Sequence, residues 1–77
     1  MGKINYTLLA CFRHQLRIEQ IEVLEEFQYG NSTMFVIDEY SLAHWQVANL
    51  SRICSFSILM LYYKGEKMLH LRLFNDE

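Results

Sequence analysis

Apolar and polar positions alternate most regularly towards the C-terminal end of this chain. Phe56, Ile58, Met60 and Tyr62 alternate with Ser57, Leu59, Leu61 and Tyr63. Lys64-Gly65-Glu66-Lys67 then interrupts the run, and Leu69, Leu71 and Leu73 alternate with Met68, His70, Arg72 and Phe74. A period of two on either side of a glycine-containing break predicts a β-hairpin. A Gly65-Glu66 loop would pair Met60 with Leu71 and Ile58 with Leu73, whereas a Lys64-Gly65 loop would pair Met60 with Leu69. Both loops keep the same residues on the same face.

Upstream the period changes. From Ser41, an acceptable N-cap, to about Ile53, the residues Leu42, Ala43, Val47, Leu50, Ile53 and Cys54 fall on one side of a helix. His44, Trp45, Asn49 and Arg52 fall on or near the other side. A second helix is predicted from Asn5 or Tyr6 to Arg17, with Leu9, Phe12 and Leu16 on its apolar face. That face could continue through Val23 and Phe27 to Gly30. The same stretch also reads as a strand, with Ile21, Val23, Phe27 and Tyr29 alternating with Glu22, Leu24, Glu26 and Gln28. Gly30-Asn31 would then turn the chain into Thr33 to Asp38, which is rich in β formers.

Self-similarity favours the strand. Tyr6-Thr7-Leu8 matches Tyr40-Ser41-Leu42, and Gln15-Leu16 matches Asn49-Leu50. One residue out of step, Ile18, Ile21, Val23, Leu24, Phe27 and Gly30 match Ile53, Phe56, Ile58, Leu59, Tyr62 and Gly65. The expectation is a single domain over residues 1–77 with αββ repeats at 5–39 and 40–77. The fold class is α+β: a small antiparallel sheet with two helices on one face, in the order αββαββ, with α-β-α-β-β as the alternative.

Composition narrows the function classes. The chain has 77 residues, 52% of them hydrophobic, so disorder is excluded and one small core is the most it can build. No apolar run approaches the roughly 20 residues of a membrane span. Neither the N-terminal residues nor the two cysteines suggest secretion, and a cytoplasmic protein with reduced thiols is expected. Net charge is −2, unevenly spread. Lys3, Arg13 and Arg17 make the first seventeen residues basic, and Ile18 to Ser51 holds no Lys or Arg. That middle stretch carries Glu19, Glu22, Glu25, Glu26, Asp38 and Glu39. An acidic middle repels phosphate and lacks the clustered cations of a nucleic-acid grip. Glu19, Glu22, Glu25 and Glu26 are instead candidates for an acidic surface that steers a basic partner.

Candidate chemistry is sparse. Cys11 and His14 are three apart on a helix, but Cys54, His44 and His70 supply no second close pair, so no metal is expected. Cys11 is expected to be a small buried thiol. Nothing places a base beside a cysteine nucleophile, and Gly2, Gly30 and Gly65 are too isolated to cradle phosphate. No cofactor and no catalysis are expected.

The second face of the C-terminal hairpin says more. Phe56, Ile58, Met60, Tyr62, Leu69, Leu71 and Leu73 would suffice for the core. The opposite face still carries Leu59, Leu61, Tyr63, Met68 and Phe74, with His70 and Arg72 interspersed. A solvated face alternates more cleanly than this, so either a further segment or another protein covers it. Leu59, Leu61, Tyr63, His70, Arg72 and Phe74 are therefore the candidate dimer or partner surface, and Trp45, if exposed, a candidate anchor.

The function expected from these features is that of a non-enzymatic protein-binding module, dimeric, that inhibits or regulates a partner protein. Short phage- or mobile-element-type inhibitors and immunity-like proteins share this profile as a class, although no motif ties the chain to any of them. The alternative is a small DNA-binding regulator that uses the helix from Ser41 and the hairpin as a wing, with Arg52, Lys64, Lys67 and Arg72 as its cations.

Overall fold

The computed structural model describes residues 5–74; Lys3, Asp76 and Glu77 of the charge count lie outside them. The element order is α1 (Tyr6–Ile18), β1 (Val23–Tyr29), β2 (Ser32–Ile37), α2 (His44–Ser51), β3 (Ser57–Tyr63) and β4 (Glu66–Phe74). The strands form one antiparallel sheet in the order β1-β2-β4-β3. The protein is thus an α+β fold of order αββαββ, its two hairpins joined through β2 and β4.

Helix α1 begins where Asn5 accepts a hydrogen bond from the Leu8 amide at 3.0 Å. It ends, well short of Gly30, in a Schellman-type turn. Gln20 takes a left-handed φ of 60°, its amide bonds the Arg17 carbonyl, and the Ile21 amide returns to Leu16. Leu16 and Ile21 are both buried, so this turn also starts the core. The long-helix reading fails here, where the chain turns and Ile21 enters the same core cluster as Leu16.

Helix α2 is shorter than its periodicity suggests. Ser41 is not its N-cap: the chain stays extended through Ala43, whose amide donates to the Gln46 side chain at 2.9 Å. Leu42 packs against the core from this extended lead-in, as do Ile53 and Cys54 from beyond the helix.

Both helices lie on one face of the sheet. Leu9, Phe12 and Leu16 of α1 and Leu50 of α2 join Phe35, Ile37, Leu69, Leu71 and Leu73 in a single cluster. The Phe12 ring sits 5.4 Å from Phe35 and 5.5 Å from Phe56, linking helix, central strand and the entry to β3. Arg13 holds the Glu26 carboxylate through two nitrogens, tying α1 to β1.

The turns settle the register. Lys64 and Gly65 have φ of 50° and 86°, the two left-handed positions of a tight hairpin, so Met60 pairs with Leu69. Gly30 has φ of 62° at the first position of the other turn. Two expectations about facing change. A bulge between Val23 and Glu25 sends Val23 to the helix side and Phe27 and Tyr29 to the opposite face. Ile58 and Met60 face the helix side yet remain exposed, because eight-residue α2 does not reach across edge strand β3.

Candidate functional site

The sheet register gathers most of the candidate surface on the face opposite the helices. Leu59 lies opposite His70, and Leu61 opposite Met68. His70 lies opposite Val36, Arg72 opposite Met34 and Phe74 opposite Ser32. Tyr63 shares the parity of Leu59 and Leu61 and joins them. From the other hairpin, Phe27 and Tyr29 enter the same face beside Met34 and Ser32.

This face is concave. The Tyr63 hydroxyl donates to Glu25 at 2.7 Å, from one edge strand to the other. Glu25 lies in one row with Val36, His70 and Leu59, about 14 Å across the sheet, and Tyr63 lies four residues, about 13 Å, further along β3. Two side chains meet over that diagonal only because the sheet twists and curls. The curl explains why β2 is buried at every position although the helices cover only one side. Between the edges runs a groove of about 390 Å³, lined by Phe27, Tyr29, Met34, Leu59, Leu61, Tyr62, His70 and Arg72.

Its polar groups are held in fixed positions. Ser32 donates to the Tyr29 carbonyl at 2.7 Å and accepts from the Arg72 Nε at 3.0 Å. The Arg72 guanidinium lies 4.6 Å over the Phe74 ring. No carboxylate among the described residues forms an ion pair with it. His70 is 3% exposed and its Nδ1 lies 2.9 Å from the Met68 carbonyl. Donation to that carbonyl places the proton on Nδ1 and leaves Nε2 as an acceptor. Nε2 has no partner among the described residues, and no fully buried side-chain atom lacks one, so Nε2 opens into the groove.

The bond to Glu25 has a measurable signature. Hydrogen bonding to the carboxylate, then partial desolvation and the carboxylate's charge, raise the Tyr63 pKa above its ordinary value. The stability from this bond is therefore intact below the pKa of free tyrosine, about 10. It is lost only as pH rises through the raised folded-state value. In a titration of phenolate absorbance, Tyr63→Phe should remove a component that titrates above the pKa of free tyrosine. Loss of an early-titrating component instead would contradict the bond.

Trp45 is 60% exposed on α2. It belongs to the helix layer, so it shares no surface with the groove. The four glutamates also scatter. Glu19 accepts from Gln15 and Asn49 between the helices, Glu26 is paired with Arg13, and Glu25 reaches Tyr63 across the far face. Glu22 is exposed after α1, its carbonyl accepts from the Asp38 amide at 3.0 Å, and its side chain has no partner among the described residues.

Elsewhere Cys11 is exposed rather than buried, because it lies outside the Leu9–Phe12–Leu16 stripe. Among the described residues no three of His, Cys, Asp and Glu converge. No described helix is long and apolar enough to cross a membrane. A second cavity of about 250 Å³ lies between α1 and β1, its rim crossed by the Arg13–Glu26 pair.

Phe27, Tyr29 and Met34 were not among the residues singled out from the sequence. Phe27 and Tyr29 alternate with Glu26 and Gln28, but their facing depends on the bulge. Met34 becomes a groove residue only through the β2–β4 pairing. No family model matches the chain, and no curated protein or solved structure matches it.

Proposed function

We propose that this protein is a non-enzymatic, homodimeric protein-binding module that regulates a partner by occluding its surface. The observation that carries this reading is an apolar sheet face left bare by both helices and continuous with an unguarded edge strand. The two edges differ. β1 has a bulge and carries Glu25 and Glu26, features that discourage pairing with another strand. β3 has neither charge nor bulge, and no strand among the described residues lies beside its outer backbone groups.

A second copy suits that edge. Antiparallel pairing of β3 with its own copy about a two-fold axis at Met60 sets Ile58 against Tyr62 and Leu59 against Leu61. No like charges meet, whereas β1 paired with itself would bring glutamates together. Ile58, Met60 and Tyr62, exposed in one chain, would be covered in the dimer.

Such a dimer presents two open faces, with Phe74 at the rim of each. The partner-binding test compares affinity capture from the native host by the wild-type chain, by Phe74→Glu and by Trp45→Ala. A protein held by the wild type and Trp45→Ala but released by Phe74→Glu supports docking on the open face. Equal capture by all three contradicts it.

The DNA-regulator reading loses ground on geometry. β4 is paired with β2, so the hairpin is part of the sheet and not a free wing. Lys64 and Lys67 sit at its turn, while Arg72 lies five residues further along β4, about 17 Å away. Arg52 caps α2.

A further inference from the structure

We infer that the open-face groove is a binding site for a small carboxylic acid built on an aromatic ring that also carries a hydroxyl or N–H group. Three observations converge on that chemistry. The groove holds about 390 Å³ between Phe27, Leu59 and Leu61, within the size range of small-molecule sites. Arg72 is oriented by Ser32 and Phe74, and no carboxylate among the described residues neutralises it. Its terminal nitrogens remain to meet an anion in forked geometry.

The third observation is His70. The residue as a whole is 3% exposed, and its Nε2, which has no partner among the described residues, keeps its access on the groove side. With the proton on Nδ1, it accepts a hydrogen bond and so selects a donor on the ligand. Arg72 and His70 are alternate residues of β4, about 6.7 Å apart along the strand and on one face, so one ligand can meet both groups.

A small molecule suits the groove better than an extended peptide. The Tyr63–Glu25 bond crosses the face beyond Phe27 and Leu61, and the Arg72–Phe74 stack occupies the other end. A continuous chain would need an exit at both.

The test is a two-dimensional NMR titration of the full chain with 3-(4-hydroxyphenyl)propionate, its neutral amide, and 3-phenylpropionate, which lacks the hydroxyl. The acid should give saturable shifts at Leu59, His70 and Arg72. The amide should bind at least about tenfold more weakly, since it forfeits a charge-assisted pair, and 3-phenylpropionate should also lose affinity. Arg72→Gln should abolish the acid–amide difference with the circular dichroism spectrum unchanged, and Arg72→Lys should retain part of it. Absence of saturable shifts, equal binding of acid and amide, or a preserved difference in Arg72→Gln would each overturn the inference. So would tight binding of an acidic peptide with no response to the free acid. Sedimentation of the same samples keeps the dimer question separate: a dimer that ignores the acid removes only this inference, and a monomer that binds it removes only the dimer.

Discussion

Phe12→Ala should leave this protein largely unfolded at physiological temperature. The Phe12 side chain is wholly buried, with its ring against both Phe35 and Phe56. Truncating such a residue costs about 3–5 kcal/mol, through lost transfer free energy and the cavity left behind. A chain of this size has on the order of 4–11 kcal/mol of total stability. The loss is therefore a large share of the whole, and α1 has no second aromatic contact with the sheet to compensate. Urea unfolding followed by circular dichroism gives the size of the effect. Tyr6→Ala, on the exposed side of the same helix, should change stability by no more than about 0.5 kcal/mol. A cost below about 1.5 kcal/mol for Phe12→Ala would mean that α1 does not pack over Phe35 and Phe56.

Leu61→Glu should have an equally large effect on association and a small one on the fold. Leu61 is 43% exposed on β3, so a carboxylate there reaches water in a single chain. In the two-fold pairing it faces Leu59 of the second copy, and the contact occurs twice. Losing about 1.5 kcal/mol of apolar burial at each copy gives roughly a 100-fold weaker dimer. Size-exclusion chromatography over a dilution series should show the variant as a monomer where the wild type is a dimer, with similar melting temperatures under dissociating conditions. If Leu61→Glu proves unstable, Met60→Lys tests the same edge from the helix side, where Met60 is also exposed. An unchanged elution profile in both variants would contradict pairing through β3.

How much of this was legible beforehand follows from the range of each signal. The β3–β4 hairpin could be read from strict alternation around Gly65, and α1 from the Leu9–Phe12–Leu16 stripe, because both patterns are local. The choice between two turn registers was not local: it depended on Lys64 adopting a left-handed φ, which sequence permits but does not require. The start of α2 was misplaced at Ser41, since capping propensity there competes with Leu42 reaching the core from an extended segment. The bulge after Val23 inverted the facing of Phe27 and Tyr29, and no residue type announces a bulge.

The candidate surface divides in the same way. Leu59, Leu61, His70, Arg72 and Phe74 were legible because they share one hairpin face. The groove was not, for it needs Met34 beside Arg72 and Phe27 beside Met34, contacts between strands far apart in the chain. The acidic stretch was contiguous in sequence only. Adjacent residues on a strand point to opposite faces, which sent Glu25 and Glu26 to opposite sides of the sheet.

The central claim is that the bare sheet face and its unguarded β3 edge serve association. Sedimentation velocity of the wild-type chain from low micromolar to near-millimolar concentration tests it most directly. A concentration-dependent shift from monomer to a discrete dimer, with no progression to larger species, is the expected result. A sedimentation coefficient fixed at the monomer value across the whole range would contradict it.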